Sequence, residues 1–351
     1  MTDTDYYPEG RMFEDFAPGQ MIAHATPRTV TDGDVAVYQA LYGGRQAVVS
    51  SAPFAEQLGY RGRPLDDWLV FHIVFGKTVP DISRHAMANL GYANGRFVQP
   101  VYAGDTLSAH STVLGVRENR SGETGLVMVE TQGRNQNDQL VLSYQRWVMV
   151  KKRDVSAAAP APVWPQPAPF VAAADVPQPI ADFSAWDDVV SGSPRRFADY
   201  QIGEVIEHGD GTTLEEAEHM LATRSFQNTA AVHFDAQMQA TSRFGKRLIY
   251  GGHIISHARA MSFNGLENAA CVLALNGGSH AAPAFAGDTI YAASQIIDKA
   301  EWPGRNDVGA LRVAHFVSKN DRAAVAHGLT AEGKPADGII LHLDVWLAMP
   351  R

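Results

Sequence analysis

Two hydrophobic periodicities alternate along this chain. TLSAHSTVLGVRE from Thr106, GLVMVETQGRN from Gly125 and LVLSYQRWVMVKK from Leu140 alternate in character, as expected of strands with one face toward a core. Other stretches read as helices. TDGDVAVYQALYG opens on Thr31 and TLEEAEHMLATRSF on Thr213, each with acidic residues following, so both threonines are expected N-caps. DDWLVFHIVFGKTV from Asp66 and GGHIISHARAMSF from Gly251 read as apolar helices. The predicted architecture is α+β, one long helix wrapped by an antiparallel sheet.

This order of elements occurs twice. FEDFAPGQMIAH from Phe13 returns as FADYQIGEVIEH at an offset of 184, and PVYAGDTLSAHSTV from Pro100 as PAFAGDTIYAASQI at 183. YQRWVMV and LDVWLAM correspond near the two ends. The shared P-x-x-A-G-D-T and two collinear matches identify two copies of one fold, spanning 1–153 and 196–351. Between them, 154–195 carries seven prolines from Pro160 to Pro179. Proline lacks a backbone N–H, so this segment is expected to be an extended connector. Trp164 and Phe170 should hold it against the folded body.

Composition narrows the function. Hydrophobic residues make up 45% and charged residues 19%, with a net charge of −9 and no Lys/Arg-rich run. That argues against nucleic acid as partner but leaves room for small anionic ligands at local basic clusters. Cys271 is the single cysteine, so no intrachain disulfide forms, and no Cys/His spacing suggests zinc. His253 and His257 lie four apart, with no motif supplying a third ligand, so no metal is expected. No apolar run reaches the roughly 18 residues of a membrane helix. The N-terminus MTDTDYYPEGRMF lacks a basic-then-apolar leader, and the expected compartment is the cytoplasm. Glycine-rich dinucleotide fingerprints are absent, so neither nicotinamide nor flavin is expected.

The remaining motifs have a family resemblance. The H-x-D at His233 and Asp235, the glycine pair opening the helix at Gly251, and the G-D-T turns resemble the MaoC-type hydratase branch of the hot-dog fold. Two copies in one chain resemble a double hot-dog. The resemblance implies a hydro-lyase that reversibly adds water to a branched, carboxylate-bearing enoyl-CoA, with CoA entering only as part of the substrate. It also implies a homodimer. Family members carry D-x-N-P-x-H-x-D. Here the histidine falls on His233 and the last aspartate on Asp235, while Asn228 stands where the first aspartate is usual and Ala230–Ala231 replace Asn-Pro.

Each implied role has a chemical basis. Histidine suits proton transfer near neutral pH. Asn228 cannot take a proton but can hold water. Asp235 is a candidate to fix the imidazole tautomer, or else a helix cap. Glycines opening a helix allow close approach to free N–H groups, and the resemblance implies Gly252, beside Gly251, as donor to the thioester oxygen. Arg61, Arg63 and Arg96 are candidates for CoA phosphates. Arg45 or Arg224 is expected to meet the substrate carboxylate.

At the 183 offset His233 maps to Ser50, Asn228 to Arg45 and Gly251–Gly252 to Trp68–Leu69. Because the first copy folds without this equipment, the second is expected to be catalytic and the first to supply binding surface. The alternatives are an (R)-specific hydratase for plain enoyl-CoA, an acyl-CoA thioesterase and a non-catalytic acyl-CoA-binding protein.

Overall fold

The computed structural model describes residues 2–3, 7, 9–330 and 333–351. The first copy contains β1 (Thr2–Asp3), β2 (Met21–Thr29), α1 (Asp32–Tyr42), α2 (Ala47–Ser50), α3 (Ala52–Gln57) and α4 (Asp67–Thr78). It continues through β3 (Ala86–Phe97), β4 (Thr106–Glu118), β5 (Thr124–Arg134) and β6 (Leu140–Lys151). After α5 (Asp188–Ser191) come β7 (Val205–Glu207), β8 (Thr212–Thr213), α6 (Glu216–Ser225), α7 (Ala231–Phe234), α8 (Ala236–Ala240) and α9 (Gly251–Met261). The chain closes with β9 (Val272–His280), β10 (Thr289–Ala300), β11 (Val308–Lys319) and β12 (Ile339–Pro350).

The sheets of the two copies join edge to edge into one. Its strand order is β1-β2-β4-β5-β6-β3-β9-β12-β11-β10-β7, with β8 on β10. The halves meet where β3 pairs antiparallel with β9, and Ala93 faces Gly277 there. These two residues stand 184 apart, the offset of the repeat, so a pseudo-twofold axis passes through that pair. The axis also brings the two apolar helices together. Every residue of α4 from Trp68 to Thr78 is buried, as are Gly252–Arg259 of α9. One core unites both helices with inward-facing residues of both half-sheets.

Local chemistry explains most boundaries. Thr31 caps α1 as expected: its Oγ1 accepts from Asp34 N at 3.3 Å, and Asp34 accepts from Thr31 N at 2.8 Å, a reciprocal capping box. Thr213 does not cap α6. It is drawn into β8 opposite Thr289, and α6 starts three residues later at Glu216. The repeated G-D-T aspartates act as turn clips, Asp105 accepting from Tyr102 N and Asp288 from Phe285 N, each at 2.9 Å. The connector binds both copies: Val171, Val176, Phe183 and Trp186 are buried with Phe54 and Leu58 of the first and with Trp302 and Trp346 of the second. Trp164 packs against Arg117 and Phe170 against Arg312.

The copies approach closely at Gly76 in α4. A Cβ there would lie 1.8 Å from the Phe226 carbonyl oxygen, a backbone atom that cannot swing aside. Gly76→Ala is therefore expected to cost about 1–3 kcal/mol, measured as a lower urea midpoint. A wild-type midpoint would contradict this contact.

Candidate active site

His233 sits on a short helix, α7. α7 ends at Phe234 and α8 begins at Ala236, with Asp235 at the break. The Asp235 carboxylate caps α8, accepting from Met238 N at 2.8 Å, so it does not orient the imidazole. A backbone carbonyl does: His233 Nδ1 lies 2.9 Å from Leu248 O. Because a carbonyl only accepts, Nδ1 carries the proton and Nε2 of the neutral ring keeps its lone pair. Burial draws this imidazole down to about 4, with the Leu248 carbonyl opposing the shift. Near neutral pH His233 is an unprotonated base.

A cavity of about 310 Å³ lies between the copies. His233, Asn228, Tyr250, Gly251 and His280 line it from the second copy, and Phe75, Tyr92 and Arg146 from the first. Gly251 begins α9, where the first N–H groups have no acceptor within the helix. A Cβ on Gly251 would lie 2.3 Å from the His280 ring, so only glycine lets helix and imidazole approach. Gly252, expected to be the donor facing substrate, packs instead toward Tyr250 and His72, 2.4 and 2.6 Å from where its Cβ would stand. Gly251 is the glycine of this pair on the cavity wall.

Asn228 is 2% exposed, and its Oδ1 accepts from Ala230 N at 3.1 Å. That bond identifies the oxygen end and leaves the NH2 end as the donor for a ligand. Asn228 also lines a neighbouring cleft of about 410 Å³ with Arg224 and Lys77. The other arginines expected at the site lie away from the cavity and are engaged elsewhere. Arg45 donates to Asn264 at 2.8 Å, Arg61 to Asp105 at 2.6 and 2.7 Å, Arg63 to Gln39 at 3.4 Å and Arg96 to Asn94 at 2.5 Å.

The structure also corrects the copy-to-copy register by one residue. α7, α8 and α9 begin 184 positions after α2, α3 and α4. His233 therefore corresponds to Val49, Asn228 to Gly44, and Gly251–Gly252 to Asp67–Trp68. The first copy has one more residue between the start of its apolar helix and its G-D-T turn, Asp67 to Gly104 against Gly251 to Gly287. The imidazole, amide and glycines are still confined to the second copy. Structural histidines behave differently. His24 meets Ser111 at 2.8 Å, and its repeat partner His208 meets Ser294 at 2.6 Å.

Several cavity residues escaped sequence reasoning, His280 and Arg146 among them. His280 ends β9 in a stretch whose pattern carries no distinguishing signal. Arg146 did carry one. It occupies the inward register of YQRWVMV between Tyr144 and Val148 and is 0% exposed. In LDVWLAM the corresponding position is Val345, aligned by Trp147 and Trp346.

Known proteins share this architecture. The profile of the mesaconyl-CoA hydratase family matches residues 2–332. The β-methylmalyl-CoA dehydratase of Chloroflexus aurantiacus is 53% identical over 343 residues, covering 97% of each chain. A crystal structure of a MaoC domain protein dehydratase from that organism has a TM-score of 0.95 at 51% identity, covering 99% of both chains. A double-hotdog protein of Mycobacterium tuberculosis has a TM-score of 0.76 at 27% identity, covering 98% of this chain and 99% of its own. The fold is a double hot-dog. Among the described residues no helix is long and apolar enough to cross a membrane.

Several imidazoles near the cavity share one electrostatic condition. Burial draws His219 to about 3, and His233, His257 and His280 to about 4, from an ordinary 6.5. Unfolding releases them to the ordinary value, so between pH 6.5 and 4 the unfolded chain binds more protons. Stability is complete above pH 6.5 and falls as pH drops toward 4. The melting temperature should decline through that window, and a flat profile would contradict the burial.

Proposed function

The chain belongs to the mesaconyl-CoA hydratase family, and we infer that it is a hydro-lyase reversibly hydrating mesaconyl-CoA to β-methylmalyl-CoA. The observation that carries the reading is the juxtaposition around one cavity: a neutral imidazole with Nε2 unprotonated, beside the N-terminus of a helix that opens on glycine.

Chemistry follows from that juxtaposition. Water held by the Asn228 amide gives a proton to His233 Nε2 as its oxygen bonds to the β-carbon. The electron pair of the double bond shifts toward the α-carbon and the thioester oxygen. Free N–H groups at the start of α9, with Gly251 on the cavity wall, stabilise that developing charge. The imidazolium then returns its proton to the α-carbon, restoring neutral His233. Dehydration is the reverse. No electrons leave the substrate, so these proton transfers use neither flavin nor nicotinamide, and no step calls on a metal.

In this reading residues 196–351 carry the catalytic groups and 1–153 complete the cavity, with 154–195 connecting them. Arg224 and Lys77 make the neighbouring cleft the route for the anionic CoA arm. We also propose that the protein is a homodimer in the cytoplasm.

A spectrophotometric assay tests the function. Enoyl absorbance should fall faster with mesaconyl-CoA than with crotonyl-CoA, without thiol release. His233→Ala is expected to lower kcat by about 10²–10⁴-fold, and unchanged turnover would refute its role. The base must be unprotonated, so kcat/KM should drop as pH falls through about 4. An acid limb at 6.5 would show that burial does not set this group.

A further inference from the structure

Arg146 projects from β6 into the buried side of the sheet and lines the same cavity as His233. Its Nη2 donates to Thr78 Oγ1 at 2.8 Å, and its guanidinium lies 4.4 Å from the Phe75 ring centroid. Among the described residues nothing accepts from its Nε or Nη1. Two further groups on this wall share the condition: Asn89 through both side-chain atoms and Ser83 through its hydroxyl. The carboxylate of Asp81, in the turn after α4, is engaged elsewhere, with His24 Nδ1 at 2.7 Å and Arg11 at 3.3 Å.

A dry guanidinium without an anion is an unfavourable arrangement for folding alone. Its planar fork of parallel N–H groups matches a carboxylate. In mesaconyl-CoA the free carboxylate is attached to the carbon that water attacks, so its receptor must share the cavity of the proton-transfer group. Arg146 meets that condition, whereas Arg45 lies outside the cavity and Arg224 lines the neighbouring cleft.

We propose that Arg146, flanked by Asn89 and Ser83, is the receptor for the free carboxylate of the acyl chain and selects dicarboxylic over plain enoyl-CoA. This rests on the hydratase reading and deepens it. The silent copy thereby contributes the specificity group, and Val345 in the catalytic copy leaves that function to one side of the pseudo-twofold axis.

Binding separates this inference from the hydratase reading. In a His233→Ala background, which blocks turnover, calorimetry should show mesaconyl-CoA favoured over crotonyl-CoA by about 10- to 100-fold. Adding Arg146→Met should reduce the ratio to within about threefold without lowering the melting temperature, because the substitution removes an unpaired buried charge. Should Arg146→Met not fold, Arg146→Gln is read in the same way. A preference that survives loss of the guanidinium, or its absence from the His233→Ala protein, overturns the receptor. If wild-type protein does not hydrate mesaconyl-CoA, the hydratase reading itself falls. If it hydrates mesaconyl-CoA and the preference ignores Arg146, only the receptor falls.

Discussion

The edge-to-edge pairing of β3 with β9 is the constraint on which the rest of the molecule depends. An unpaired strand edge exposes a row of N–H and C=O groups, and here each copy covers the other's. The register sets Ala93 against Gly277 and brings α4 beside α9 on the inner face. Hydrogen bonds cross between the copies as a result, His72 Nε2 to Ser256 Oγ at 2.9 Å and Tyr42 Oη to His253 Nδ1 at 2.9 Å. Gly76 permits the Phe226 backbone to pass directly over α4. The space left between the halves is the cavity, and neither copy encloses it alone.

That geometry permits division of labour after duplication. Features that support the sheet remain in both copies: the aspartate clips at Asp105 and Asp288, and the histidine–serine bonds of His24 and His208. Features with no evident support role occur once. His233 corresponds to Val49 in the repeat, and Arg146 to Val345. Val49 and Val345 carry no polar side chain to satisfy, so the polar member of each pair carries the cost of burial without a mirrored structural need.

Burial also sets the character of the base. A desolvated imidazole is a weaker base than one in water, but it stays neutral across the physiological range. Leu248 O fixes which nitrogen holds the proton, a task expected of Asp235. A carbonyl orients the ring without adding a negative charge that would raise its proton affinity further. The cluster of His72 on α4, His219 on α6 and His253 and His257 on α9 is likewise buried and satisfied by neutral partners, including Tyr250 N donating to His219 Nε2 at 2.8 Å.

The duplication, most strand faces, the two apolar helices, the Thr31 cap and the confinement of His233 and the glycine pair to one copy are legible in the chain alone. Each of these is written in local periodicity or in self-similarity, which report what a residue's own element requires. Whatever depends on distant partners emerged only on folding. Thr213 became a strand residue because β10 was there to pair with it, and Asp235 became a cap because α7 breaks at that point. Gly251 rather than Gly252 reached the cavity because His72 and Tyr250 occupy the other side. Arg146 lies between these cases. Its charge in an inward strand register was legible, but only the folded cavity revealed what it faces. Strand alternation identifies which side a side chain takes, whereas the atoms waiting on that side belong to segments far away in the chain.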